Sequence, residues 1–212
     1  MRIRRLLAVS LVAIIFSVLG TITPQPAVAA TDSPITIALT ATVYEVYDWA
    51  NVLGGTIRPG DTMTGTYTYN AAASNSSQVP CCGTYWHTTA PYGISLKAGG
   101  KVFETDPQNV HFSVGLTNNY YDRDTYLLWS DSNRPLSDHQ TINYIYWSLQ
   151  DPTQTAIKSI ALPRTAPKLS DWQQPPGGIL EVNVHDSTVS DPNDVITFYI
   201  RAHVTQAQKI TH

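Results

Sequence analysis

The chain has two cysteines, three glutamates (Glu45, Glu104 and Glu181) and only 14 % charged residues in 212. Two cysteines cannot form a framework of disulfides, so the core must come from packing, which a chain of this length can supply. Sparse Glu, Lys and Arg argue against long surface helices, which favour those residues. The six histidines show neither H-x-x-x-H nor H-E-x-x-H spacing, so no local zinc signature exists. G-x-S-x-G is missing, which excludes the nucleophile elbow of α/β-hydrolases. C-x-x-C is missing too, which removes a thioredoxin-like role. No repeat at a period of about 20–50 residues appears, so a solenoid or propeller is not expected.

The first thirty residues carry a strong signal. Arg2, Arg4 and Arg5 precede the apolar run Leu6–Leu19, then a polar stretch with prolines, then Ala27-Val28-Ala29. This order predicts a cleaved secretory signal peptide over residues 1–30 and a domain over residues 31–212. The apolar run is shorter than the roughly 20 residues of a spanning helix, and no membrane span is expected after cleavage. The expected location is secreted, extracellular or periplasmic. Removing the three leader arginines from 13 basic residues, against 16 acidic ones, takes the net charge from −3 to −6. A mildly acidic domain without a basic patch excludes nucleic acid as a partner, because phosphate neutralisation supplies most of that affinity.

Past the leader, period-2 alternation dominates. In 62–69, Met63, Gly65, Tyr67 and Tyr69 share one face and four threonines the other. In 194–206, Ile196, Phe198, Ile200, Ala202 and Val204 alternate with polar residues. Further strands are predicted over 35–47, 92–97, 101–105, 110–116, 125–130, 142–149 and 179–185, with Ala98-Gly99-Gly100 as a hairpin turn. Prolines fall mostly in the gaps. About nine strands predict an all-β, single-domain antiparallel β-sandwich or jelly roll, with a closed barrel as the alternative. A short helix is expected near 168–173, and long loops over 70–90 and 131–141.

The chemistry-bearing residues are few. Cys81 and Cys82 are adjacent, and export would place them in an oxidising compartment. Oxidation within the pair closes a strained eight-membered ring, since their Cα atoms lie ~3.8 Å apart, below the usual ~4.4–6.8 Å range. Two free thiols or a link to another chain are the alternatives. Tyr85, Trp86 and His87 follow, and aromatic rings here would stack on sugar faces. The opposing reading is that Trp86 plugs one end of the fold. Trp129, Trp147 and Trp172 are expected in the core or at its edge, and His111 and His203 on a wet strand face. Asp186, Asp191 and Asp194 offer oxygen ligands for calcium, though Asp, Asn, Ser and Pro are equally the residues of turns. No other cofactor is expected.

Gly65-Thr-Tyr-Thr-Tyr-Asn70, with Leu149-Gln-Asp-Pro152, Leu162-Pro163 and Leu169-Ser-Asp-Trp172, resembles the "G-x-Y-x-Y-D/N" and "L-x-D-P…L-P…L-S-D-F" patterns of uncharacterised exported bacterial β-sandwich proteins that often carry a PEP-CTERM tail. The resemblance implies the fold and export, and supplies no catalytic residues. The last residues, Gln208–His212, hold no V-P-E-P motif, so sorting by such a tail is not implied. The absence of a recognisable acid–base or nucleophile arrangement leaves three expectations. The first is a non-enzymatic binding or structural protein with a polysaccharide or envelope component as partner. The others are a secreted hydrolase acting on polysaccharide or peptide, and an adhesion or assembly subunit.

Overall fold

The computed structural model describes residues 34–49, 51–173, 175–186 and 198–211. The expected leader lies outside them, as do Asp191 and Asp194. The described chain is all-β, a single domain built on one antiparallel sheet of ten strands curled into a half-barrel. The strands are β1 (Pro34–Asp48), β2 (Thr62–Asn70), β3 (Cys82–His87), β4 (Gly93–Ala98), β5 (Lys101–Glu104), β6 (His111–Tyr120), β7 (Arg123–Ser132), β8 (Gln140–Asp151), β9 (Ile179–Asp186) and β10 (Phe198–Lys209). Their order across the sheet is β3-β6-β7-β8-β9-β10-β1-β2-β4-β5.

Alternation builds the inner face. Ile35, Ile37, Leu39, Ala41 and Val43 of β1 are buried and meet Tyr67, Tyr69, Leu128, Trp147, Val182 and Ile200 in one core. The aromatic hydroxyls and indole inside this core are satisfied: Tyr67 and Tyr126 bond hydroxyl to hydroxyl at 3.1 Å, and Trp147 Nε1 donates to the Gly177 carbonyl at 2.9 Å. Gly177 and Gly178 have φ of +74° and +70°, and a Cβ there would lie 1.9 Å from the Val204 carbonyl oxygen and 2.2 Å from that of Ser148. Only glycine lets this entry to β9 pass so close to its neighbours. The expected hairpin at Gly99-Gly100 is present, with φ of +54° and +78°.

Several expectations need correction. The region 70–90 is not one loop, because it contains β3, one of the sheet's two edge strands. Its alternation of Gly83, Tyr85 and His87 inward with Cys82, Thr84 and Trp86 outward is too short to stand out beside the polar residues before it. The loop expected over 131–141 is shorter, since β7 runs to Ser132 and β8 starts at Gln140. The expected helix near 168–173 is a single 3-10 turn, Leu169–Asp171, without a side-chain cap. Trp147 and Trp172 are buried as expected, whereas Trp129 is half-buried on the outer face.

Candidate functional site

The outer face carries the molecule's distinctive chemistry. The pairing registers align Trp86, Ser113, Trp129, Tyr146, Glu181, Arg201 and Glu45 in a single cross-strand row over seven adjacent strands, β3 to β1. Directly opposed side chains on one sheet face sit about 4.5–5.5 Å apart at Cβ, and Trp86, Trp129, Tyr146, Arg201 and Glu45 reach solvent while Ser113 and Glu181 are covered by their neighbours. Beside it run His111, Tyr144, Asn183, Tyr199 and Tyr47, from the next set of outward positions.

Two β-bulges aim these side chains. The register slips between Val43 and Glu45, so both Tyr44 and Glu45 reach the outer face. Tyr44 stacks on His203 with ring centroids 4.2 Å apart, while Glu45 reaches Arg201. The second slip, between Ile142 and Tyr144, keeps Ile142 and Ile145 inside while Tyr144 turns outward.

The rings are held by contacts as well as by the sheet. Trp86 stacks on His111 at 4.3 Å, and Trp129 on Tyr144 at 4.9 Å. Asp131 joins these two stacks, because His111 Nδ1 bonds one carboxylate oxygen and Trp129 Nε1 donates to the other at 3.2 Å. At the far end, Arg201 Nε donates to Glu181 at 2.7 Å and its Nη1 to Glu45 at 3.0 Å. Tyr144 donates its hydroxyl to Glu181 at 2.6 Å, and Tyr199 donates to Glu45 at 2.8 Å. The guanidinium also lies 4.5 Å above the centre of the Tyr199 ring. The Tyr199 hydroxyl, then the Arg201 guanidinium, hold the Glu45 carboxyl below the usual carboxylate range. Burial, then the Glu181 carboxylate, push the Tyr144 hydroxyl well above the ordinary tyrosine value.

The sequence-predicted trio Tyr85-Trp86-His87 does not act together. β3 turns Trp86, 41 % exposed, to the outer face and sends both neighbours inward. Tyr85 is spent on a bond from its hydroxyl to the Ile160 carbonyl at 2.7 Å. His87 Nε2 accepts from the Asn70 amide at 2.9 Å, and burial lowers its pKa. Trp86 therefore does not plug an end of the fold. His111 and His203 both face outward, His203 half-buried with its Nδ1 2.9 Å from the Gly178 carbonyl oxygen.

Comparison with family models, with curated proteins and with solved structures gives no match to this chain. Function must therefore be argued from the site. Cys81 and Cys82 are free thiols with sulfurs 3.2 Å apart, and burial, then Cys81, push the Cys82 thiol up to about 11. Asp186 ends β9, away from the row's centre. Among the described residues no group of three His, Cys, Asp or Glu gathers as a metal site.

Sequence reasoning missed Glu45, Tyr144, Tyr146, Glu181 and Arg201 as a group. Glu181 and Arg201 alternate with apolar neighbours and read as outward positions, whereas Glu45 and Tyr144 share the phase of the inward residues before them and reach the outer face only through the two bulges. Only the pairing order, which brings β1 beside β10 across more than 150 residues of chain, puts them in line.

Proposed function

We propose that this is an exported, non-enzymatic polysaccharide-binding protein that holds successive sugar rings on the aromatic row of its outer sheet face. One observation carries the reading: half-exposed rings and hydrogen-bonding groups stand in register across seven strands, on the side of the sheet that does not form the core. Indole and phenol faces offer apolar surface to the faces of sugar rings, while the hydroxyls, amides and carboxylates between them meet sugar hydroxyls. Because the rings are already fixed by Asp131, Glu181 and Arg201, little side-chain entropy remains to be lost on binding.

The hydrolase reading is less well supported. Glu45 and Glu181 share the face, but both are engaged by Arg201. Glycoside hydrolysis needs one carboxyl kept protonated as a general acid, and the bonds to Glu45 favour its ionised form.

The test is affinity for cellohexaose, chitohexaose and laminarihexaose, measured calorimetrically with the intact protein and with Trp86→Ala and Trp129→Ala. The reading expects at least one oligosaccharide to bind and each variant to lose about tenfold, which is ~1.4 kcal/mol. Binding untouched by both substitutions, or none to any polysaccharide, overturns it.

A further inference from the structure

The row is continued at one end by a groove. Going back along β3, the outward positions run from Trp86 through Thr84 to Cys82, about 13 Å at the usual rise per strand residue. Here the outer face dips, because Gly115 of β6 supplies no side chain between Thr84 and Leu127. The result is an apolar groove of about 380 Å³, floored by Gly115 and Leu127 and walled by Cys82 on one side and Tyr120 and Tyr121 on the other.

Tyr121 and Asp122 sit at φ of +50° and +58° in the β6–β7 turn, and Asn119 at +55°. Positive φ at both central residues, Tyr121 and Asp122, is the type I′ turn that a two-residue hairpin favours, and it leaves the Tyr121 ring projecting from the turn. Tyr121 is 77 % exposed, its ring centroid 4.2 Å from that of Tyr120. On the opposite wall the backbone is pinned on both sides of the cysteine pair. The Cys82 amide donates to Val79, the Asn118 amide to the Cys81 carbonyl at 2.9 Å, and the Asn75 side chain to the Cys82 carbonyl at 3.2 Å. The Tyr120 hydroxyl is pushed up chiefly by its bond to Tyr121, and to a smaller extent by the two thiols near it.

We propose that this groove is a second sugar subsite and that Cys82 forms its redox-set wall, mobile while the pair is a dithiol and rigid once a vicinal disulfide ties it to Cys81 behind it. The inference rests on the polysaccharide-binding reading. The chemistry needs a disulfide oxidant, RS–SR, of the kind an oxidising compartment maintains. Cys81 Sγ, as thiolate, attacks one oxidant sulfur, forming a mixed disulfide and expelling RS⁻. Cys82 Sγ then loses its proton and attacks Cys81 Sγ, forming the Cys81–Cys82 bond and expelling the second RS⁻. The pair loses two electrons and two protons, and the oxidant becomes two thiols. The sulfurs are already neighbours at 3.2 Å, so the second attack needs no large movement of the chain. Ring strain from adjacent Cα atoms makes the bond easy to reduce again, as a switch requires.

The experiment uses the intact chain equilibrated in oxidised or reduced glutathione. Mass is read on each sample, and then affinity for the three hexasaccharides. The expected result is a form lighter by two hydrogens under oxidising conditions, without dimer, and about threefold or more tighter binding by that form, because its wall is pre-ordered. Cys81→Ser with Cys82→Ser should fix the weaker affinity in both buffers. Gly115→Val should abolish the redox difference, since a Cβ at Gly115 makes only ordinary contacts, the nearest 3.5 Å to Leu127 Cβ, and the longer side chain fills the groove. No mass change, or equal affinity of the two forms while Trp86→Ala still weakens binding, overturns the redox subsite alone. Ring closure with no hexasaccharide bound by either form overturns the polysaccharide reading and the subsite with it.

Discussion

Two halves of the same outer face differ sharply. Over β2 and the first part of β1, up to Thr42, it is a threonine lattice, where Thr36 opposes Thr68, Thr40 opposes Thr64 and Thr42 opposes Thr62, with a hydroxyl pair at 3.0 Å between Thr36 and Thr68. Over β3 and β6–β10 the equivalent positions hold Trp86, Trp129, Tyr144, Tyr146 and Tyr199. Both halves cover a similar apolar inner face, so the fold does not require aromatic rings outside. Threonine meets the same need for a β-branched residue on a wetted pleat. The rings are thus surplus to folding, and that surplus is what a binding role explains.

The sharpest way to break this comparison is to make outer rings behave like inner ones. Trp147→Ala empties a fully buried site and orphans the Gly177 carbonyl, so it should cost about 3–5 kcal/mol, read from the urea midpoint. Trp86→Ala should cost under about 1 kcal/mol by the same measurement. If the two costs are equal, the outer rings are structural and the argument from surplus fails.

Next in size is the buried turn that closes one end of the β7–β8 pair. Asp124 and Asp151 oppose each other, both fully buried. Like charges in that position repel, yet each is met by donors: the Asn119 and Ile157 amides reach Asp124, and the amides and hydroxyls of 153–156 reach Asp151. Although burial raises it, hydrogen bonds from Thr153 and Thr155 prevail and hold the Asp151 carboxyl well below its ordinary value. A depressed carboxyl binds its proton less readily when folded than when unfolded. Its contribution is therefore complete above about pH 4 and is lost as pH falls below that. Asp151→Asn should lose about 1–2 kcal/mol at pH 7, with the gap to the parent closing under acid. A gap unchanged from pH 7 to pH 3 contradicts the assignment.

Glu181→Ala comes third. It strips Arg201 and Tyr144 of a buried carboxylate, though the guanidinium can recruit water, so about 1–2 kcal/mol is expected. It should also weaken hexasaccharide binding severalfold by freeing the Tyr144–Trp129 stack. A loss of stability without any loss of affinity would confine the network to a structural role.

How much of this was legible in the sequence follows from range. Period-2 alternation in β2 and β10 needs only neighbouring residues, so those inner faces were readable. β3 was not, because six residues including Cys82, Gly83 and Thr84 carry too little hydrophobic contrast. The grouping of Trp86 with Tyr85 and His87 was not legible, since a loop reading ignores the strand alternation that sends Trp86 outward and its two neighbours inward. The row itself is a property of register between strands far apart in the chain, and the bulge at Tyr44 adds a slip that simple alternation does not announce.

The smallest effect expected is the most discriminating. Thr68→Val removes the hydroxyl pair with Thr36 but keeps a β-branched side chain on β2, so stability should change by no more than about 0.5 kcal/mol. Affinity should not change at all, because Thr68 lies opposite Thr36, at the other end of β1 from Tyr44 and Tyr47. If Thr68→Val weakens oligosaccharide binding as much as Trp86→Ala does, recognition extends over the whole outer face. The hydroxyls, not the rings, would then be its common chemistry, and the contrast between the two halves would be one of composition without consequence.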